Sequence, residues 1–200
     1  NSLMRFSKEE EYLRQKDKKL KKIIDTNGHI VFKPLKKNQF DTLVGIVISQ
    51  FISTLAANSI FKKIKTFFNC DYLNEKHFET LTVNQIKNLG LSTNKAKTIK
   101  ELSNLFLDKD FMDLTKLEDK LLHEKLLSIF GIGPWSVNMF EIFCIGKLDV
   151  FTSKDAGLRL AMNKAHIVKP ESDWEIYDNY AELWSPFKTI ASIHLWKTVD

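Results

Sequence analysis

A glycine turn between two apolar segments constrains the fold of this chain more than any other feature. Gly131 and Gly133 flank Ile132, and Pro134 follows directly. Apolar residues recur at helical spacing before the turn, and a proline suits the first turn of a following helix, where no N–H is needed. Glycine permits a positive φ and the close approach of another backbone. The pattern predicts two helices joined by a tight hairpin.

The start of the second predicted helix would present backbone amides that have no partner within the helix. Such amides bind anions together with the positive end of the helix dipole, and phosphate is the anion that we expect here. We therefore predict contacts with a nucleic-acid backbone from Gly131, Ile132, Gly133 and Ser136. A simple turn in a helical bundle is the alternative, because glycines also end helices.

The charged residues favour a polyanionic partner. The chain has 30 Lys and Arg residues against 25 Asp and Glu, for a net charge of +5, and nearly all of the cations are lysines. Lysine neutralises phosphates but seldom reads base edges in bidentate fashion, so major-groove sequence recognition is not expected. Lys95 and Lys97 are candidate phosphate contacts, and a solvated helix face is the alternative for both.

Helical periodicity runs through almost the whole chain, and no alternating strand pattern is visible. The predicted fold class is therefore all-α. A capping box at Ser7 predicts a first helix that continues to about Asp25 and stops at Gly28. The further predicted helices are Gln39–Ser49, Ser53–Phe68, Thr82–Asn88, Ser92–Leu107, Glu118–Ser128, Trp135–Cys144, Asp155–Asn163, Ser172–Trp184 and Pro186–Thr198.

Cysteine and histidine usage predicts neither a disulfide framework nor a metal site. Cys70 and Cys144 are the only cysteines, which fits a reducing compartment, and the histidines lack metal-ligand spacing. The longest apolar run, Leu43 to Ile48, is too short to cross a bilayer, and the charged N-terminus does not resemble a secretory signal. We expect a monomer in the nucleus or cytoplasm, neither secreted nor bound to a membrane.

Five segments of the chain resemble the helix-hairpin-helix DNA glycosylase superfamily. The branch that they resemble is 3-methyladenine DNA glycosylase II, which excises alkylated bases. The resemblance covers about Gln39 to Trp196 and implies two helical subdomains that flank a cleft. Residues 1–39 and 147–200 would form a terminal lobe, and residues 40–146 a helical-barrel lobe with the hairpin. The segments are VISQFISTLAA, LGLSTNKAKTIKELS, IFGIGPWSVNMF, DVFTSKDAGLRLA and LWSPFKTIASIHLW.

The resemblance assigns the chemistry to Asp155, which matches the catalytic aspartate of the family. Its carboxylate would stabilise an oxocarbenium-like sugar and orient or deprotonate the attacking water. The alternative is purely structural, because Thr152 to Asp155 also forms a capping pattern at a helix start. Members that cleave the strand carry a Schiff-base lysine where this chain has Trp135, so no lyase activity is expected.

The resemblance also assigns residues that would hold the damaged DNA. Trp135, Met139 and Trp196 would line the base pocket, and core packing is the alternative for both tryptophans. Gln50 and Phe51 match the position that fills the gap left by a flipped base, and core packing is again the alternative for Phe51.

Three departures from the family pattern stand out. Met139 replaces a frequent aromatic residue, Thr152 replaces a proline that is common before the catalytic aspartate, and Lys188 replaces an arginine.

The predicted function is that of a monofunctional glycosylase that releases alkylated purines, of the 3-methyladenine and 7-methylguanine type, in base excision repair. Its partner would be double-stranded DNA that contains damaged bases. No cofactor is expected, although the family's hairpin can hold a monovalent cation through backbone carbonyls. The alternatives are a glycosylase for an oxidised or deaminated base and a non-catalytic helix-hairpin-helix module that binds DNA.

Overall fold

Residues 5–200, which the computed structural model describes, contain eleven α-helices and no β-strand. The predicted all-α fold class is therefore confirmed. In chain order the helices are α1 Lys8–Lys16, α2 Lys18–Asn27, α3 Gln39–Ser49, α4 Thr54–Phe68, α5 Val83–Lys87, α6 Thr93–Leu107, α7 Asp119–Leu127, α8 Pro134–Phe140, α9 Ala156–Lys164, α10 Trp174–Ala181 and α11 Lys188–Lys197. Shorter 3-10 turns lie at Glu75–Phe78, Leu114–Lys116 and Glu182–Trp184, and a π-helical turn, Glu141–Ile145, continues α8.

Side-chain caps set many of the helix starts. The hydroxyls of Ser53 and Ser92 accept hydrogen bonds from amides in the first turns of α4 and α6. Thr82 and Ser7 form reciprocal capping boxes at the starts of α5 and α1. Each cap satisfies an amide that has no partner within its helix, so these boundaries are specified locally.

The predicted first helix is in fact two helices, which corrects the prediction of one helix to about Asp25. The break is at Asp17, where the backbone is extended and the carboxylate accepts from the amides of Lys19 and Leu20. Tyr180 and Trp184 donate to the other oxygen of Asp17 at 3.0 and 2.9 Å. These distant partners stabilise a buried carboxylate that interrupts an otherwise continuous helical pattern.

The chain divides into two compact units. The terminal unit comprises the residues up to Lys33 together with Lys147–Asp200, and the hairpin unit is Pro34–Gly146. The first boundary between the two units, after Lys33, comes earlier in the chain than the predicted boundary after residue 39. It does so because the amide of Leu35 donates to the carbonyl of Phe143 at 2.8 Å and Pro34 packs directly on Gly146. Residues 34–39 therefore belong to the hairpin unit.

Each unit has its own apolar core. In the hairpin unit, α3 contributes the largest continuous share of the buried residues, so it is central to the core of that unit. In the terminal unit, helices α1, α2, α9, α10 and α11 all contribute to one cluster. That cluster comprises Leu13, Leu20, Ile24, Leu158, Ala161, Met162, Val168, Tyr177, Ala181, Trp184, Ile190, Ala191 and Leu195.

A buried carboxylate ties together the elements of the terminal unit. Glu10 accepts hydrogen bonds from the amides of Ser7 and Ile30 and from the rings of His29 and His194, at 2.5 to 3.1 Å. Burial alone would raise the pKa of the Glu10 carboxyl, but these hydrogen bonds lower it to about 2. The charged form of Glu10 therefore stabilises the folded unit.

His194 is a neutral member of this network. Its Nδ1 atom accepts from the Asn27 side-chain amide at 3.1 Å, and its Nε2 atom donates to Glu10 at 2.6 Å. Burial lowers the pKa of His194 below its ordinary value, although Glu10 acts in the opposite direction. The hydrogen bonds and the burial therefore both indicate an uncharged ring. Through its bond to Glu10, this ring holds α11 against α1.

No helix within residues 5–200 combines the length and the apolarity that a membrane crossing requires.

Candidate nucleic-acid interface and active site

The hairpin between α7 and α8 requires glycine at its first glycine position. Gly131 has a φ of 79°, and a Cβ atom there would lie 2.1 Å from the side-chain oxygen of Thr98 on α6. Neither the backbone conformation nor the space allows another residue without displacement. Gly131 therefore fixes the hairpin against α6, a close approach that the sequence analysis anticipated without identifying Thr98.

Gly133 has a different role. Its φ is −110°, and a Cβ atom built on it would meet no atom within 4 Å. It caps α8, whose first residue is Pro134, and leaves the helix start without a side chain. Ile132 and Ser136 are buried, so any contact of these two residues with phosphate would involve the backbone. The half-buried but unobstructed backbone at Gly133 is compatible with the geometry that an anion site needs.

Gln50, the residue directly after α3, organises the hairpin. Its side-chain amide donates to the carbonyl of Gly131 and to the hydroxyl of Ser136, both at 2.9 Å. Gln50 therefore bridges the turn and the first turn of α8. The side chains of Gln50 and Ser136 thus stabilise the hairpin through their hydrogen bonds. The predicted DNA contacts of both residues remain predictions.

Phe51 follows Gln50 and projects into solvent. Its ring is fully exposed, at 103%, and its backbone has a φ of 59°, which is unusual for a residue with a bulky side chain. Core packing, the alternative considered for Phe51, is therefore wrong. Leu55, on the first turn of α4, is also strongly exposed. An exposed aromatic residue held in a strained conformation points to a functional use of this turn.

Lys95 occupies a position that the sequence analysis did not foresee. Its ammonium group donates to the carbonyl of Ile48 at 2.6 Å, in the last turn of α3, and burial lowers its pKa. It therefore stabilises the end of α3, directly before Gln50, because a cation interacts favourably with terminal carbonyls. This contact was not anticipated from the sequence, and the predicted phosphate contact of Lys95 remains a prediction. Lys97, on the same helix, is exposed.

Asp155 begins α9 in the terminal unit. Its Oδ1 atom accepts a hydrogen bond from the amide of Leu158 at 2.8 Å and another from the indole of Trp196 at 2.9 Å. The side chain thus caps the helix, as the structural alternative predicted. The second hydrogen bond goes beyond capping, because an indole donor from α11 fixes the orientation of the carboxylate.

Gly157 makes this arrangement possible. A Cβ atom at Gly157 would lie 3.1 Å from Oδ1 of Asp155 and 3.3 Å from Cδ1 of Trp196. The glycine therefore leaves the space in which the carboxylate and the indole meet. Sequence reasoning missed this residue, although a glycine two positions after a helix-capping aspartate is a local signal for close packing.

The remaining predicted pocket residues lie in the hairpin unit. Trp135 is partly exposed in the first turn of α8, so it is not a fully buried core residue. Met139 is buried on the same helix. The assignment of Trp135, Met139 and Trp196 to a base pocket stays a prediction.

The cysteines are unsuited to nucleophilic chemistry. Burial raises the pKa of Cys144 to about 12, and burial likewise raises the pKa of Cys70. Within residues 5–200, no group of three or more His, Cys, Asp or Glu side chains is placed to hold a metal ion. The predicted absence of a cofactor and the monovalent cation at the hairpin remain predictions.

The chain is similar to proteins that are named as alkylbase glycosylases. It is 29% identical over 170 residues to DNA-3-methyladenine glycosylase 1 of Schizosaccharomyces pombe, which covers 82% of this chain and 73% of that protein. It is 26% identical over 232 residues to DNA-3-methyladenine glycosylase of Saccharomyces cerevisiae, which covers 94% of this chain and 77% of that protein.

A solved structure shares the fold. The Schizosaccharomyces pombe 3-methyladenine DNA glycosylase Mag1, in complex with abasic DNA, superimposes with a TM-score of 0.86 at 25% identity, over 96% of each chain. The family model described as HhH-GPD superfamily base excision DNA repair protein matches residues 44–186, well over half of the chain. This match includes the hairpin and Asp155, and the superfamily that the motifs predicted is confirmed. The chain belongs to the HhH-GPD superfamily of base excision DNA repair proteins.

Proposed function

We propose that this protein is a monofunctional DNA glycosylase that hydrolyses the N-glycosidic bond of alkylated purines and so initiates base excision repair. One observation carries the proposal: the Asp155 carboxylate is fixed by two hydrogen bonds to one of its oxygens, from Leu158 and Trp196. A helix cap alone does not need the indole donor, whereas a catalytic carboxylate needs a fixed orientation. The similarity to named 3-methyladenine glycosylases supports the same activity.

The hairpin unit would bind the DNA. Gly133 and the first amides of α8 receive a phosphate, while Gln50 and Gly131 keep the turn in place. Phe51 stacks where the damaged nucleotide had been, which offsets an unstacking cost on the order of a few kcal/mol. Binding is expected to depend on salt and to be largely independent of sequence.

The terminal unit would supply the chemistry. As the base departs, positive charge develops on the sugar, and the Asp155 carboxylate stabilises it electrostatically. The same group orients or deprotonates the water that attacks the sugar carbon. A purine alkylated on a ring nitrogen already carries positive charge, so it leaves readily and a strong general acid is not needed.

The proposed enzyme hydrolyses the base bond and does not cleave the strand. Trp135 occupies the position of the Schiff-base lysine, so water is the nucleophile and no imine forms. Borohydride trapping on lesion-containing DNA tests this point, and a covalent protein–DNA adduct would refute it.

The function is tested by chromatography of the bases that the native protein and Asp155→Asn release from methylated DNA. Asparagine keeps the Oδ1 acceptor for Leu158 and Trp196 but removes the charge, so the fold and DNA affinity should persist while release is lost. Asp173→Asn, at an exposed acidic position on the same unit, is the matched control. Full release by Asp155→Asn would refute the proposal.

The same assay separates the alternatives. DNA binding without release of any base would favour a non-catalytic module, and release from duplexes with a single oxidised or deaminated base would favour the other glycosylase class. The monomeric state stays a prediction, and sedimentation of the protein with and without DNA tests it.

A further inference from the structure

Several hydrogen bonds hold the loop that leads to Asp155. Thr152 and Ser153 are both buried, although they lie in the loop directly before α9. The Thr152 hydroxyl accepts from the amide of Lys154 at 3.1 Å, and its carbonyl accepts from the amide of Asp155 at 3.2 Å. Thr152 therefore closes a tight turn that ends at Asp155.

Every polar group of Ser153 is bound from outside the loop. Its amide donates to Oδ1 of Asp178 at 2.9 Å, and its hydroxyl donates to Oδ2 of Asp178 at 2.6 Å. Its carbonyl accepts from the guanidinium of Arg159, which also lies 4.3 Å from the ring centre of Trp174. Asp178 and Trp174 are one turn apart on α10. This helix therefore holds the amide and hydroxyl of Ser153 directly and its carbonyl through Arg159.

We propose that Asp178 is a positioning residue that sets the place and orientation of the Asp155 carboxylate. This role rests on the proposed function, because it matters only where the carboxylate acts on a sugar. A two-pronged, charge-assisted contact fixes a serine two residues before Asp155, and such contacts are shorter and stronger than neutral ones. These two contacts of Asp178 with Ser153 restrict the loop and link α10 to the start of α9.

The chemical consequence follows from the sensitivity of catalysis to geometry. Displacement of a reacting group by about 1 Å can cost on the order of 10²-fold in rate. Loss of Asp178 leaves two donors of a buried serine without an acceptor, and the loop must rearrange to satisfy them. The carboxylate would then lose its alignment, while the hairpin unit and its hold on DNA are untouched.

The first test compares single-turnover base release by three variants. Asp178→Ala should slow release by about 10- to 100-fold with unchanged affinity for DNA that carries an abasic analogue. Asp178→Asn should restore most of the rate, because its amide can still accept from the Ser153 amide and contact the hydroxyl. Glu175→Ala, which removes an exposed carboxylate from the same helix, should match the native protein. Equal rates for Asp178→Ala and the native protein would overturn the assignment.

The second test does not depend on turnover. The indole N–H resonance of Trp196 reports its hydrogen bond to Asp155, so Asp178→Ala should shift it in ¹⁵N-labelled protein and Glu175→Ala should not. An unshifted resonance would overturn the proposal. If the native protein released no base, the proposed function would fail on its own, and the Trp196 resonance would still decide whether Asp178 positions the carboxylate.

Discussion

Replacement of Gly157 by alanine should slow the enzyme without destabilising it. The added Cβ would lie 3.1 Å from Oδ1 of Asp155 and 3.3 Å from Cδ1 of Trp196, tighter than most Cβ contacts. The carboxylate and the indole must therefore each move away from the added Cβ atom by a few tenths of an ångström. Because about 1 Å of misplacement can cost on the order of 10²-fold, we expect single-turnover release to fall by roughly threefold to tenfold.

The stability effect should have the opposite sign or vanish. Gly157 lies in the first turn of α9 at a φ that alanine can adopt, and glycine costs a helix about 0.5–1 kcal/mol relative to alanine. This gain offsets the crowding, so the free energy of unfolding should be unchanged or slightly higher. A variant that is as stable as the native protein but slower cannot be explained by partial unfolding.

The assay pairs urea unfolding with single-turnover release from a duplex that carries one alkylated purine. Ala156→Gly, at the exposed neighbouring position, is the control: it should lower stability through helix propensity and leave the rate unchanged. Native-like turnover by Gly157→Ala would refute the claim that the Asp155–Trp196 geometry limits the rate. A large loss of stability would refute the reasoning about backbone conformation.

Three further predictions follow from the two units. Gly131→Ala should lower both thermal stability and DNA affinity, whereas Gly133→Ala should lower DNA affinity alone. The reason is that a Cβ atom at residue 131 meets a neighbouring side chain and one at residue 133 does not. Equal melting temperatures for the two variants would contradict this. Phe51→Ala should keep native stability, because the ring is fully exposed, but should slow base release from duplex DNA more than from single-stranded DNA. If the ratio of these two rates were the same as in the native protein, Phe51 would not fill the gap left by the flipped base. The terminal unit should lose stability as the pH falls below the ordinary pKa of histidine, because the folded protein holds His194 neutral. It should lose further stability from a pH of about 4.5 towards about 2, because the folded protein holds Glu10 charged. Urea midpoints of the native protein that stay constant across this range, or that follow the same pH dependence as those of His194→Gln, would contradict this.

Local caps explain why so many helix boundaries were predictable. Ser53, Ser92 and Thr82 each precede a helix and each bond to its first turn, so the start signal lies within a few residues. Gln39–Ser49 was predicted with the bounds that the structure has, because its apolar residues are dense and its neighbours are polar. The hairpin was likewise visible, since glycine and proline are constrained by their own backbone chemistry.

Contacts between distant residues explain the misses. Asp17 interrupts the first predicted helix because Tyr180 and Trp184 bind its carboxylate, and neither partner is visible from the lysine-rich segment around it. Lys95 looked like one of several lysines on a helix, but its acceptor is the carbonyl of Ile48 on another helix. Long-range polar contacts of this kind have no periodic signature in the sequence.

The candidate site shows both situations. Asp155 was identifiable from its motif, and its capping role from its local sequence, but the indole donor that orients it comes from far along the chain. The roles of Gly157 and Asp178 depend on that tertiary arrangement, so they emerge only when the side chains are placed.

The most direct test of the central claim measures how strongly the protein prefers a cationic sugar analogue. DNA with a pyrrolidine at the abasic position imitates the charged transition state, and DNA with a tetrahydrofuran is its neutral counterpart. Opposite charges about 4 Å apart attract by about 4 kcal/mol at an effective dielectric constant of about 20, so a preference of about tenfold or more should survive screening. The native protein should show this preference, and Asp155→Asn should lose it while binding the neutral duplex as before. An equal preference in both proteins would show that the Asp155 charge does not act on the sugar.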